Sequence, residues 1–362
     1  MDYSGYFEGK TILITGGLGF IGSNMAIRLA ELSPKEVIIV DSLVDGLGGN
    51  LGNISEIKAR NNIRILCGSE WNIKNAEKIK PLIKEADVIL NFAGSVKHTK
   101  LGEKELEFDT EINFISQVLF LESCRKVMIE NPGKKLKIVF SGTRDQYGKV
   151  PFAELPVKED FLPKEMTDYQ SITKNAAESY HFILNNILRE QGVDISINSL
   201  RLTNVYGPRQ SEKSGSVIPV FVSKSIRDES IELWGGGEVL RDLNYIDDVI
   251  NAFLIIASSD VHGEFFNLGC CIGKEDMDRG GIGNNLLTIK NLAEKVASLV
   301  GKGKIKVIPY PPERKAVEPG HFAADISKIY SLGWSPKTSL EEGLKRTIEW
   351  HKNKDDAPFH NL

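Results

Sequence analysis

The run Lys10-Thr-Ile-Leu-Ile-Thr-Gly-Gly-Leu-Gly-Phe-Ile-Gly22 constrains this chain more than any other stretch. Five residues with a strand-like apolar pattern lead into Gly16, Gly19 and Gly22, and a helical stretch follows. The first glycine permits a tight turn, the second lets backbone approach a pyrophosphate, and the third lets helix pack closely on strand. The helix N-terminus then offers unpaired N–H groups and a partial positive charge to phosphates. The next strand-like run, Glu36-Val-Ile-Ile-Val-Asp41, ends in an acid 19 residues after Gly22. An acid about 20 residues on is what binding an adenosine ribose 2′-hydroxyl requires. Asp41 repels a 2′-phosphate, and Ser42 stands where an arginine would attract one. The expected cofactor is therefore NAD rather than NADP.

Composition narrows the partners. The 362 residues are 41% hydrophobic and 26% charged, as expected of a globular chain with one large or two modest domains. A net charge of −4 supplies no broad attraction to nucleic acid or to an anionic membrane surface. No apolar run approaches the ~20 residues of a membrane-spanning helix, and the first ten residues do not read as a secretory signal. Cys67, Cys124, Cys270 and Cys271 form no CxxC pair and read as reduced thiols of a cytoplasmic protein. The histidines form no spaced cluster, and Asp247-Asp248 reads as the acidic first turn of a helix rather than a metal pair. No metal is expected.

Strand-like and helix-like segments alternate through the first two-thirds. Residues 63–67, 88–92 and 136–140 read as short buried strands, and 110–130 and 173–190 as helices. Such alternation predicts an α/β fold, a Rossmann doubly wound parallel sheet covered on both faces. After Gly207 glycine and proline become denser, which predicts a smaller C-terminal α/β substrate-binding region. The expected division is a cofactor domain over 1–200, with part of 240–270 returning to it, and a discontinuous substrate region over 201–362. Residues 271–287 read as a polar, glycine-rich mobile loop, either a substrate lid or an inert insertion.

Three segments carry candidate chemistry. Ser141-Gly-Thr143-Arg144-Asp145-Gln-Tyr147-Gly148 follows the strand at 136–140, and strand C-termini in such sheets face the ligand crevice. Thr143 either reaches a substrate or merely caps local backbone. In Tyr169-Gln170-Ser-Ile-Thr-Lys174 a phenol and an ammonium lie about one helical turn apart, which favours a phenolate able to take a hydroxyl proton. Arg241 could clamp a diphosphate or pair with Asp242 or Asp247, and Asn204 could donate to the same group.

In this order, and together with Asn91-Phe-Ala-Gly94, Lys174-Asn-Ala-Ala-Glu178, Leu200–Gln210, Arg241-Asp242, Tyr245-Ile-Asp-Asp248 and Leu332-Gly-Trp334, the chain resembles the extended short-chain dehydrogenase/reductases. Specifically, it resembles their nucleotide-sugar epimerase/dehydratase family, over about residues 10–350. The resemblance implies tightly held NAD and a sugar linked to a nucleoside diphosphate. It implies a keto-sugar formed as hydride passes to NAD, followed by rotation, dehydration or decarboxylation. It assigns Gly16, Gly19, Phe20, Ile21, Gly22, Asp41, Ala93 and Lys174 to the cofactor, with Lys174 on the nicotinamide ribose. Thr143 would hydrogen-bond the reacting oxygen, and Asn204, Arg241 and Arg314 would contact the nucleotide. A homodimer through the helices at 110–130 and 173–190 is implied as well.

The chain departs from that pattern twice. The family places tyrosine four residues before the lysine, where this chain has Gln170. One residue turns a helical side chain by ~100°. Either an extra residue in the turn, such as a π-bulge, lets Tyr169 act as the base, or Gln170 replaces the base. In the second case the chain is a silent binding protein or uses Asp145 or Tyr147 for proton transfer. Second, Arg144-Asp145 stands where dehydratases of the family carry adjacent Asp-Glu. An epimerase is therefore the expectation, with a dehydratase or decarboxylase using Asp145 as the alternative. Arg144 would bind an anionic sugar such as a uronate or face solvent. His98 reads as bordering the substrate or exposed.

Overall fold

A computed structural model describes residues 3–95, 103–315 and 318–355. Six parallel strands come first: β1 (Thr11–Thr15), β2 (Glu36–Asp41), β3 (Ile63–Cys67), β4 (Val88–Asn91), β5 (Leu136–Thr143) and β6 (Ile195–Leu202). Phe265–Leu268 returns as β7 beside β6. The order across this sheet is β7-β6-β5-β4-β1-β2-β3. The chain winds one way from β1 to β3 and the other way from β4 onward, which leaves a crevice between β1 and β4 at the strand C-termini.

The central strands β1, β2 and β4 are apolar through their middles because both faces are covered. Ile12 and Ile14 of β1, Val37 and Ile39 of β2, and Val88 and Leu90 of β4 enter one core. Their alternates Leu13, Ile38, Val40 and Ile89 enter the other. The period-2 split of a single strand between two cores is what a continuous hydrophobic run in a parallel sheet encodes.

Beyond β6 two small sheets form. Leu240–Tyr245 lies between Leu286–Thr288 (antiparallel) and Asn204–Tyr206 (parallel), and Ser230–Trp234 pairs in parallel with Lys304–Ile308. The helix at Ile246–Ser258 opens with Asp247 and Asp248 in its first turn, as expected. Asp248 accepts from the backbone N–H of Lys337 and Thr338, tying down the segment after Trp334.

Three expectations are corrected. Residues 271–287 are not a loop: they hold a helix (Gly273–Asp278), a 3-10 turn (Ile282–Asn284) and the start of the strand Leu286–Thr288. Cys271, Met277 and Leu286 bury themselves in a third core with Tyr147 and Phe322, so apolar residues sparsely placed among polar ones suffice to fix it. The helix read at 110–130 begins earlier and contains a π-helical turn, Glu111–Ile115, between Glu103–Thr110 and Ser116–Glu130. The helix read from 173 starts at Tyr169 and runs to Glu190, because Asp168 caps it by accepting from the Ser171 N–H at 2.8 Å.

Candidate active site

At the crevice, β1 turns through Gly16 into the helix Phe20–Leu29. Gly16 has φ +66°, and a Cβ there would sit 2.9 Å from the backbone of Phe92 and Ala93 across the crevice. A Cβ on Gly22 would lie 2.3 Å from the Gly16 carbonyl oxygen. A Cβ on Gly19 would meet only the Gly16 oxygen, at 3.3 Å, so the outer side of Gly19 is open backbone at the helix N-terminus. Asp41, at the end of β2, accepts from the N–H of Leu18 at 3.0 Å and of Leu43 at 2.9 Å. Burial raises its pKa against these bonds. The cradle that backbone contact requires is thus present, and the residues fit a dinucleotide.

Beneath the loop lies a polar network that sequence reasoning missed. The Thr15 hydroxyl donates to Asn91 Oδ1, Asn91 Nδ2 donates to Gln117 Oε1, and Gln117 Nε2 donates to the Ala93 carbonyl, each at 2.7 Å. His181 lies beside Asn91, stacked on Phe140, and burial lowers its pKa to about 4. A buried network in which every member is paired holds β4 and the start of the crevice in one arrangement. Its only sequence signal is polar residues inside apolar stretches.

A cavity of about 790 Å³ opens beside the loop. Phe20, Ile21, Ser141, Thr143, Arg144, Asp145, Gln170, Lys174, Asn204 and Arg241 are among its lining residues, so Phe20, Ile21, Thr143, Asp145, Lys174, Asn204 and Arg241 of the expected site converge here. Thr143 ends β5 and caps the 3-10 turn Arg144–Tyr147; its N–H donates to Gln146 Oε1 at 2.8 Å, completing a capping box. The Thr143 hydroxyl donates to Asp145 Oδ2 at 2.9 Å. Thr143 thus caps local backbone, and it also lines the cavity.

Lys174 is buried, with Nζ 3.1 Å from the Ser141 carbonyl. Burial lowers its pKa to about 8, against the pull of Glu178. Glu178 is itself held by Arg201 and by Ser199 at 2.6 Å, which fixes this helix on β6. A Cβ on Gly94 would approach Lys174 Nζ to 2.8 Å, so glycine at 94 keeps the ammonium's side of the crevice clear.

The tyrosine does not join this group. The helix is α-helical from its first residue, the Thr173 hydroxyl donates to the Tyr169 carbonyl four residues back, and the π-turn lies elsewhere, at Glu111–Ile115. Gln170 lines the cavity and Tyr169 does not. Gln170 is 2% exposed, and its Oε1 has no hydrogen-bond partner among the described residues. Tyr147 is fully buried, donates to Asn267 Oδ1 at 2.7 Å, and has its pKa raised by burial, so it is structural.

Arg241 pairs with neither Asp242 nor Asp247. It meets Glu318 at 2.5 Å and the Gly320 carbonyl at 2.8 Å, and Glu318 is also bound by the Tyr310 hydroxyl. Asn204 Oδ1 is buried without a partner among the described residues. The side chain of Arg314, and the whole of His98, lie outside the described residues. Among the described residues no group of three or more His, Cys, Asp or Glu side chains is placed to hold a metal, and no helix is long and apolar enough to cross a membrane.

A dinucleotide cradle joined to a cavity with a hydroxyl, a lysine and a carboxylate defines a nicotinamide-dependent enzyme fold of the extended short-chain type. Comparison with known proteins agrees. The chain belongs to the NAD-dependent epimerase/dehydratase family, whose model matches residues 12–269. It is 30% identical to a putative UDP-glucose 4-epimerase of Methanocaldococcus jannaschii, over 95% of this chain and 99% of the relative. Its fold matches a UDP-glucose 4-epimerase of Thermotoga maritima solved with UDP-glucose (TM-score 0.77, 28% identity, 96% of this chain and 100% of the other). It also matches a dTDP-glucose 4,6-dehydratase of Bacillus anthracis solved with NAD (TM-score 0.77, 25% identity, 96% and 98%). NAD is the cofactor of this family, as the loop and Asp41 led one to expect.

Proposed function

We propose that this chain is an NAD-dependent nucleotide-sugar epimerase in which the Thr143–Asp145 pair handles the proton that a tyrosine handles elsewhere in the family. One observation carries the reading: the Thr143 hydroxyl is already hydrogen-bonded to Asp145 Oδ2 at 2.9 Å in the cavity that Lys174 lines, while the position facing that cavity from the helix is Gln170. Glutamine has no basic group at neutral pH; a carboxylate has.

Bound NAD would supply the hydride acceptor, and Gly16, Gly19, Phe20, Ile21, Gly22, Asp41, Ala93 and Lys174 would hold it. The sugar hydroxyl would sit on Thr143 Oγ1. As the C–H bond breaks, the hydroxyl proton passes to Thr143 Oγ1, the Thr143 proton passes to Asp145 Oδ2, and the C–O bond becomes a carbonyl. Reversal on the opposite face of a rotated sugar gives the epimer. Asn204 and Arg241 would hold the diphosphate, and Gln170 would donate to the sugar without exchanging a proton.

Mass spectrometry of the protein with NAD and a panel of UDP-, dTDP-, GDP- and CDP-sugars in deuterated water tests this reading. An isobaric product separable by chromatography is expected. A product lighter by water or carbon dioxide would move the assignment to a dehydratase or decarboxylase using Asp145. Binding without turnover of any sugar would favour a silent binding protein.

We also read the chain as a homodimer. Ile172, Tyr180, Ile183 and Ile187 on the helix Tyr169–Glu190, with Leu119 on the helix Ser116–Glu130 and Ile115 just before it, leave 38% to 55% of their surface exposed. An apolar face of that kind is what a second copy would cover.

A further inference from the structure

We propose that Arg144 recognises a carboxylate on the sugar, so that the preferred substrate is a nucleoside-diphosphate uronate rather than a neutral hexose. The inference rests on the nucleotide-sugar reading above and deepens it. Arg144 is not the solvent-facing residue that one sequence alternative allowed: it is 7% exposed and lines the cavity. Its Nη1 is buried and has no hydrogen-bond partner among the described residues. Its Nη2 lies 3.6 Å from Asp145 Oδ1. A charge-assisted N–H···O bond is about 2.7–2.9 Å long, so this pair is not the forked contact a guanidinium makes with a carboxylate. One face of the guanidinium rests 5.3 Å from the Phe322 ring centre, which fixes its plane.

A buried cation with unused donors is costly unless something completes its shell. Within the protein the neighbouring candidates are already engaged. Asp145 accepts from Thr143, and Glu318 is bound by Arg241 and Tyr310. The cavity wall as a whole carries five basic side chains (Arg144, Lys174, Lys213, Lys224, Arg241) against three acidic ones (Asp145, Glu232, Glu318), in a chain whose net charge is −4. The excess suits an anionic ligand. Arg144 differs from the other cations in adjoining Thr143, the residue placed on the reacting oxygen. Lys213 and Lys224 enter from the substrate-binding side around 210–226, with Asn204 and Arg241. A planar anion beside the reacting carbon matches the unused fork of Arg144, and the sugar carboxylate of a uronate is such a group.

Isothermal titration of the NAD-saturated full chain tests this with paired ligands: the glucoside and the glucuronide of UDP, dTDP, GDP and CDP. In the nucleotide series that binds, the glucuronide is expected to bind about tenfold to a hundredfold more tightly, the range for one added charge-assisted hydrogen-bonded pair. Arg144→Gln should remove that preference, weakening the glucuronide by about that factor and the glucoside by much less. Arg144→Lys, which keeps the charge without the fork, should retain part of it. NAD binding and thermal unfolding of both variants show whether they are folded. Equal binding of both sugars by the wild-type protein overturns the role of Arg144 alone. Equal weakening of both sugars by Arg144→Gln would assign it to the diphosphate and overturns it too. Failure of every nucleotide sugar to bind overturns the nucleotide-sugar reading itself.

Discussion

The two ends of the crevice are built on different principles. At the cofactor end the decisive contacts are between backbone atoms: Gly16 against Phe92 and Ala93, Gly22 against the Gly16 carbonyl. At the reaction end they are between side chains brought from separate elements: Thr143 and Asp145 after β5, Gln170 and Lys174 on the helix Tyr169–Glu190, Arg241 from the second sheet. Backbone contacts admit one residue type, so the first end tolerates no variation without losing the turn. Side-chain contacts can be redistributed among residue types, and here Gln170 and the Arg144-Asp145 pair line the cavity together with Thr143 and Lys174.

Breaking the first end should have the largest effect. Gly22→Ala places a methyl group 2.3 Å from a carbonyl oxygen that cannot move without opening the loop. We expect a loss of about 3 kcal/mol or more, at the upper end of overpacking effects, and no stabilisation by added NAD. Thermal unfolding with and without NAD measures both; an unchanged transition that still responds to NAD would show that the turn yields.

The reaction end should answer to pH. Lys174 has its pKa lowered by burial to about 8, so its ammonium is lost as pH rises through that value. Turnover should therefore fall on the alkaline side of about 8. Stability should move the other way. Between about 8 and the unfolded lysine value near 10.4, the unfolded state binds more protons than the folded one, so folding becomes more favourable by up to about 3 kcal/mol as pH rises. Activity falling while stability rises identifies the limb with Lys174, and Lys174→Met should abolish the stability trend. Parallel loss of both would assign the limb to unfolding.

The smallest effect on chemistry should come from the dimer face. Ile183→Glu, at a side chain 55% exposed on the monomer, should halve the particle mass in light scattering and change the rate per chain little. A particle that keeps its size would place the interface elsewhere.

What the sequence made legible follows the same division. The cradle, Asp41 and the parallel sheet were all readable, because glycine spacing, an acid at the end of a strand and unbroken apolar runs each have few physical explanations. The buried pairing network of Thr15, Asn91 and Gln117 was not, since single polar residues in apolar segments carry no pattern. Nor was the order in residues 271–287, where three widely spaced apolar side chains, Cys271, Met277 and Leu286, outweigh a polar, glycine-rich composition. At the helix start the sequence left two outcomes open for Tyr169. Asp168 as N-cap selects the regular helix, turning Gln170 rather than Tyr169 toward the cavity. The partner of Arg241 is Glu318, 77 residues away, beyond the reach of neighbour-based reasoning.

The central claim is that Thr143 and Asp145 move the proton in place of a tyrosine. The direct test is the turnover rate of Asp145→Asn and of Tyr169→Phe, measured side by side with the wild-type protein on the nucleotide sugar that it converts. We predict that Asp145→Asn lowers the rate by about a hundredfold to ten-thousandfold, the usual contribution of a general base, with nucleotide-sugar affinity retained, and that Tyr169→Phe stays near wild type. A dead Tyr169→Phe beside an active Asp145→Asn would contradict the account and return the proton to the tyrosine.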